Sequence, residues 1–155
     1  MLAAFSVLLG AGALAGTAIA GDKQKKGEHE SEIRFVASDA LKAGGFPLSN
    51  LVEVDGWILL SGALGTKPGV GLVPGGIEAE TRQTMENIKA SLKSEGLGMD
   101  RIVKCTVMLA DMAEWATFNE VYKEFFDGVY PARSAFGASG LAVGARVEVE
   151  CMARR

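Results

Sequence analysis

The chain has 155 residues, enough for one folded domain, and carries 16 basic against 19 acidic side chains for a net charge of −3. The basic residues are scattered along a mildly acidic chain, so no nucleic-acid-binding face is expected. One histidine, His29, and two cysteines, Cys105 and Cys151, do not make a zinc ligand set, and no metal site is expected.

The first 20 residues stand apart. They hold no charged side chain and close on Ala18-Ile19-Ala20, a small-x-small pattern that signal peptidases accept. Residues 1–20 therefore read as a signal peptide or an apolar anchor. Lys23, Lys25 and Lys26 follow the run instead of preceding it, an asymmetry that opposes export, and a run of roughly 20 residues is long enough to span a bilayer. The domain is expected to be periplasmic or secreted if the segment is cleaved after Ala20, with membrane-anchored and cytoplasmic placements as the alternatives. Residues 21–31 are polar, charged and aperiodic, include His29, and read as a flexible linker. The folded domain is assigned to residues 32–155.

Residues 33–37 are a short strand candidate. Residues 51–55 and 57–61 form two runs separated by Gly56, the pattern of a hairpin with Asp55-Gly56 at the turn. Trp57-Ile58-Leu59-Leu60 is apolar throughout and is expected to be a central buried strand. Residues 62–76 are rich in Gly and Pro and read as a long loop, a feature that often serves a binding site. Residues 77–95 predict a helix: Ile77, Thr81, Met85, Ile88 and Leu92 share one stripe, Glu78 and Glu80 load the first turn with negative charge, and Gly96 is the stop.

Residues 101–110 alternate, with Val103, Cys105, Val107 and Leu109 on one face, which argues a strand. Asp111 is expected to cap a second helix, with Glu114 three residues on as in a capping box. Trp115, Phe118, Tyr122 and Phe125 form its apolar stripe, and Gly128 ends it. Residues 132–138 and 146–153 are the last strands; in the second, Val147, Val149, Cys151 and Ala153 point one way and Arg146, Glu148, Glu150 and Met152 the other. The order β-β-β-α-β-α-β-β gives an α+β fold, one mixed sheet with two helices packed on one face. The other face, with Arg146, Glu148 and Glu150, is left for another subunit, so a homo-oligomer is expected. Cys105 and Cys151 are read as buried reduced thiols, able to pair if their strands are neighbours.

The run Tyr130-Pro131-Ala132-Arg133-Ser134, then Gly140-Leu141, then Val147-Glu148-Val149-Glu150, resembles the signature of the RidA/YjgF family. Ser61-Gly62, Glu80-Thr81-x-Gln83-x-x-x-Asn87-Ile88 and Phe118-Asn119-x-x-Tyr122-x-x-Phe125-Phe126 fit the same family in order and spacing. The resemblance implies a chorismate-mutase-like fold and a homotrimer with sites at subunit interfaces. It implies hydrolysis of reactive 2-imino and 2-enamino acids to 2-keto acids and ammonia, with no cofactor and no membrane partner for the mature domain.

The chemistry that the family performs suits the matching residues. A substrate carboxylate calls for a planar, permanently charged, bidentate donor, and Arg133 matches the family's arginine. Water must be delivered to the imine carbon, and Glu148 matches the family's glutamate that would activate it. Glu150 is assigned a structural role. Ser61, Gly62, Leu48, Asn87 and Ser134 are the candidate substrate-binding positions, Asn87 being also suited to bonding loop backbone. Departures stand beside these matches. Phe46-Pro47-Leu48-Ser49-Asn50 places Leu48 where typical members carry a tyrosine that faces the substrate, and Ala135 stands where many carry a cysteine. Loss of that hydroxyl leaves the pocket more apolar. The alternative function is accordingly an exported module that binds a small ligand or protects proteins without turnover.

Overall fold

The computed structural model describes residues 31–155. The expected leader, and the linker up to residue 30, lie outside the described residues. Strand β1 (Ile33–Val36) runs into a single helical turn, α1 (Asp39–Ala43), capped by the Ser38 hydroxyl, which accepts from Leu41 N. That turn has no apolar stripe and left no periodic signal. Strands β2 (Leu51–Val54) and β3 (Trp57–Leu60) pair antiparallel across the two residues Asp55 and Gly56, at φ 49° and 75°. Both central residues of a primed hairpin turn need positive φ, which Asp-Gly supplies. The expected long loop folds further: β4 (Ala63–Leu64) joins the main sheet, and β5 (Thr66–Lys67) pairs with β6 (Gly71–Leu72) in a small hairpin of its own.

Helix α2 (Gly76–Ser94) buries the expected stripe of Ile77, Thr81, Met85, Ile88 and Leu92, joined by Glu80 and Thr84. Gly96, at φ 72°, turns the chain just past its end. Strand β7 (Ile102–Leu109) departs from the simple alternation. Its pairing with the last strand shifts register between Ile102 and Lys104, so Ile102 is buried and Val103, expected inside, is 40% exposed. Asp111 does cap the following turn, accepting from Ala113 N at 2.9 Å. The capping box is not completed, because the Glu114 carboxylate turns to Arg146, whose Nε donates to it at 2.8 and 2.9 Å. Helix α3 (Trp115–Lys123) ends before the expected Gly128, which at φ 80° leads into β8 (Ala132–Gly137). Strand β9 (Val147–Arg154) closes the chain.

Among the described residues, seven strands form one mixed sheet in the order β1-β2-β3-β9-β7-β8, with β4 beside β9 and the β7–β8 pair parallel. One face, carrying Ile58, Leu60, Cys105, Val107, Leu109, Val147, Val149, Cys151 and Ala153, is buried with the inner sides of α2 and α3 in a single core. Full burial of a valine or isoleucine side chain of this kind is worth about 1.5–3 kcal/mol. The opposite face is open in the single chain. Trp57 and Leu59 lie on it at 40% and 37% exposure, so β3 is central in the sheet but buried on one side only. The α+β architecture with two main helices on one face is the expected one.

The two cysteines face each other directly across β7 and β9, with Cα atoms 4.1 Å apart, and their sulfurs are bonded. The expectation of burial is right, at 1% and 2% exposure, but that of reduced thiols is corrected. The deciding fact is non-local: strands 46 positions apart in sequence lie side by side with these residues in register.

Candidate functional site

Glu148 lies on β9, between the buried Val147 and Val149, and so points to the open face. Its carboxylate lies against Gly62. A Cβ at that position would overlap Oε1 and stand 2.9 Å from Cδ, so the absent side chain is what lets the carboxylate settle there. The start of β9 is held from three sides. Buried Glu80 accepts from Arg146 N at 2.8 Å, Ala110 N donates to Arg146 O at 2.9 Å, and the Arg146 guanidinium grips Glu114. This fixes the strand two residues before Glu148.

Ser61, at the end of β3, ties this region to the loop before β2. Its hydroxyl donates to Ser49 O at 2.6 Å, and its N–H donates to Asn50 O at 3.0 Å. Asn50 in turn accepts from Ser38 N at 2.6 Å through its side chain. The loop so pinned carries two exposed apolar side chains, Leu48 at 49% and Phe46 at 60%. Asn87 belongs to the scaffold beneath. Its amide donates to Leu64 O at 2.8 Å and Thr66 O at 2.9 Å and accepts from Gln83 at 2.8 Å, which satisfies it.

Arg133 stands on β8 in one row with Cys105 and Cys151, and its side chain therefore points to the helix-covered side of the sheet. There its guanidinium lies over the rings of Trp115 and Tyr122, each at 4.6 Å, and of Phe118 at 5.6 Å. Nη2 donates to Asn119 Oδ1 at 2.7 Å. Burial pushes the Tyr122 phenol up to about 12 against the opposing pull of the Arg133 charge, so it stays protonated in ordinary buffers. Ser134 is exposed and points the other way, in the row of Thr106 and Glu150.

Arg133 and Glu148 do not converge within one chain. Glu148 shares a row with Met108 and Phe136, three residues along β8 from Arg133. The two thus stand about 10 Å apart along the strands and about 10 Å across them, on opposite faces of the sheet. A recess of 190 Å³ on the open face, lined by Leu59, Lys104, Thr106, Glu150 and Met152, contains neither. One chain therefore holds two separate constellations: Glu148 against Gly62, with Ser61 next in the chain, in one, and Arg133 with Asn119 and its rings in the other. Leu48 belongs to neither and stands exposed on the loop that Ser61 ties down. Asn119 and Trp115 were not among the sequence-predicted site residues. The signal for Asn119 was a polar residue set inside the aromatic stripe, between Phe118 and Tyr122.

The family model described as Endoribonuclease L-PSP matches residues 38–155. The chain belongs to this family, the RidA/YjgF family. A mouse member named 2-iminobutanoate/2-iminopropanoate deaminase is 44% identical over 108 residues, covering 69% of this chain and 80% of its own length. The human protein of the same name is 41% identical over 125 residues, covering 79% and 91%. Among RidA/YjgF structures, the YjgF gene product of E. coli is similar with a TM-score of 0.71 at 32% identity, covering 79% of this chain and 98% of its own. E. coli TdcF with bound serine is similar with a TM-score of 0.68 at 31% identity, covering 79% and 94%.

Proposed function

We propose that this chain hydrolyses 2-imino and 2-enamino acids to 2-keto acids and ammonia, as a homotrimer whose sites lie between subunits. The observation that carries this reading is the division of the two constellations. Arg133 and Glu148 occupy opposite faces of the sheet in one chain, and in this reading docking a second copy brings the two to one substrate. Relatives at 41–44% identity are named for the same chemistry. A structural relative is described with bound serine, itself a small 2-amino acid.

In this reading the Arg133 fork takes the substrate carboxylate through paired N–H groups, which orients the adjacent C=N carbon. Glu148 of the neighbouring copy accepts a proton from a water molecule as its oxygen bonds to that carbon. The C=N π pair moves onto nitrogen, which takes that proton back from Glu148. Glu148 then passes the carbinolamine O–H proton to the same nitrogen, the C–N bond breaks to release ammonia, and the carbonyl of the keto acid forms. Ser61 and the Gly62 backbone shape the water side of the pocket, and Leu48 and Phe46 give it an apolar wall. No step requires a cofactor.

The test is keto-acid release from 2-aminoacrylate and other 2-imino acids, generated in place by a pyridoxal-phosphate enzyme or an amino-acid oxidase. Acceleration by the parent protein, lost in Arg133→Ala and in Glu148→Ala, supports the deaminase. A folded oligomer that accelerates none of them refutes it. The non-catalytic binding module is then favoured, and the observation on its side is Leu48, an exposed apolar side chain without a hydroxyl. Light scattering that gives the mass of three chains supports the trimer. For the N-terminal segment we propose cleavage after Ala20 and export. The paired cysteines support an oxidising setting, and the intact mass of the protein recovered from its native cell tests it.

A further inference from the structure

The arginines of this chain are employed in different ways. Arg101 and Arg154 donate to the backbone carbonyls of Arg154 and Asp55, and Arg154 also lies over the Trp57 ring. Arg34, Arg82, Arg146 and Arg155 each pair with a glutamate. Arg133 instead lies among three aromatic rings, and its hydrogen-bonding side-chain partner is Asn119, a neutral amide. This difference has a chemical consequence. A carboxylate at position 119 would neutralise the guanidinium and compete with any incoming carboxylate. An amide oxygen accepts one of the five N–H groups and leaves four, with the full positive charge unspent. The ring faces of Trp115 and Tyr122 add attraction for the cation without presenting an acceptor that a ligand must displace.

We infer that Asn119 and Trp115 are positioning residues for Arg133: they fix the guanidinium before the substrate arrives and leave its charge free for the substrate carboxylate. This rests on the proposed carboxylate-clamp role of Arg133 and extends it to two residues that do not themselves touch the substrate. A free arginine side chain has many rotamers to lose on binding a ligand. A guanidinium already bonded at Nη2 and stacked on rings has given most of them up during folding. The Asn119 bond comes from α3 and the arginine from β8, so the packing of that helix on the sheet edge sets where the clamp points.

The experiment uses the full protein and 2-oxobutanoate, the keto acid whose imine names the relatives, with dissociation constants by titration and KM and kcat for the corresponding imino acid. Asn119→Ala is expected to weaken 2-oxobutanoate binding and raise KM about tenfold, the worth of one charge-assisted hydrogen bond, with kcat changed much less. Asn119→Asp keeps the shape and the acceptor oxygen but adds a charge, and is expected to weaken binding further than alanine does. A merely structural asparagine predicts the reverse order, because aspartate is the closer replacement. Trp115→Leu is expected to raise KM about threefold or more, and Trp115→Phe, which keeps a ring face, to recover most of the loss. Aspartate milder than alanine, or leucine and phenylalanine alike at position 115, overturns the inference. If Arg133→Ala itself leaves binding and KM unchanged, the clamp reading falls and this inference falls with it. If Arg133→Ala abolishes binding while both Asn119 variants bind as the parent does, only the inference falls.

Discussion

Reducing the Cys105–Cys151 bond should cost this domain a large part of its stability, and the structure gives the size. The bond joins residues 46 positions apart. Opening a loop of that length restores about 13–14 cal/mol/K of chain entropy to the unfolded state, or about 4 kcal/mol at 25 °C. Few native contacts should change, since both sulfurs are buried between strands already held by the β7–β9 ladder. The assay is urea unfolding with and without a phosphine reductant present throughout, at one fixed protein concentration because assembly also shifts the midpoint. With a slope of about 2 kcal/mol per molar urea, the midpoint should fall by about 2 M with little change in slope. The Cys105→Ala/Cys151→Ala double variant should lose at least as much, because it also gives up packed sulfur. Coincident curves, with thiol titration showing both cysteines free in the reduced sample, would refute the reasoning: the bond would then constrain nothing that the sheet does not already fix.

Three further predictions concern other parts of the molecule. Gly62→Ala forces the Glu148 carboxylate away from its seat, and kcat should fall by about a hundredfold, the scale of a 1 Å misplacement; parent-like turnover would show that the carboxylate does not act from there. Asn87→Ala leaves the Leu64 and Thr66 carbonyls without their donor and should cost about 1–3 kcal/mol in denaturant unfolding. Hydrogen bonds from Arg155 and Arg34 hold the Glu53 carboxyl near a pKa of about 2. A depressed folded pKa stabilises fully above the unfolded value of about 4.3 and ceases to do so as pH falls through the folded one. The stability gap between the parent and Glu53→Gln should therefore be constant near neutrality, shrink from about pH 4.3 downward, and close near pH 2; a gap unchanged across that range would exclude the ion pairs as its source.

Much of the architecture was legible in the chain because its causes are local. The α2 stripe is a period of 3.6 and the alternation of β9 a period of 2, and each names its own buried face without reference to the rest of the molecule. Asp55-Gly56 specifies its turn through two residues able to take positive φ. Arg133 and Glu148 could be named from a signature of fixed spacing, yet their spatial relation could not.

What the sequence by itself determined was therefore the element order, the faces of the long elements and the family. Tertiary structure decided the matters that depend on two distant segments at once. Val103 faces outward because the β7–β9 pairing slips by one residue, and Glu114 abandons its cap because Arg146 arrives beside it from the far side of the fold. Cys105 and Cys151 bond because two strands align with those residues opposed. Arg133 and Glu148 part company because register and pleat set them on opposite faces, and the Asn119–Arg133 bond exists because α3 packs on the β8 edge. Periodicity records which side of an element is dry; it carries no information on which other element lies there.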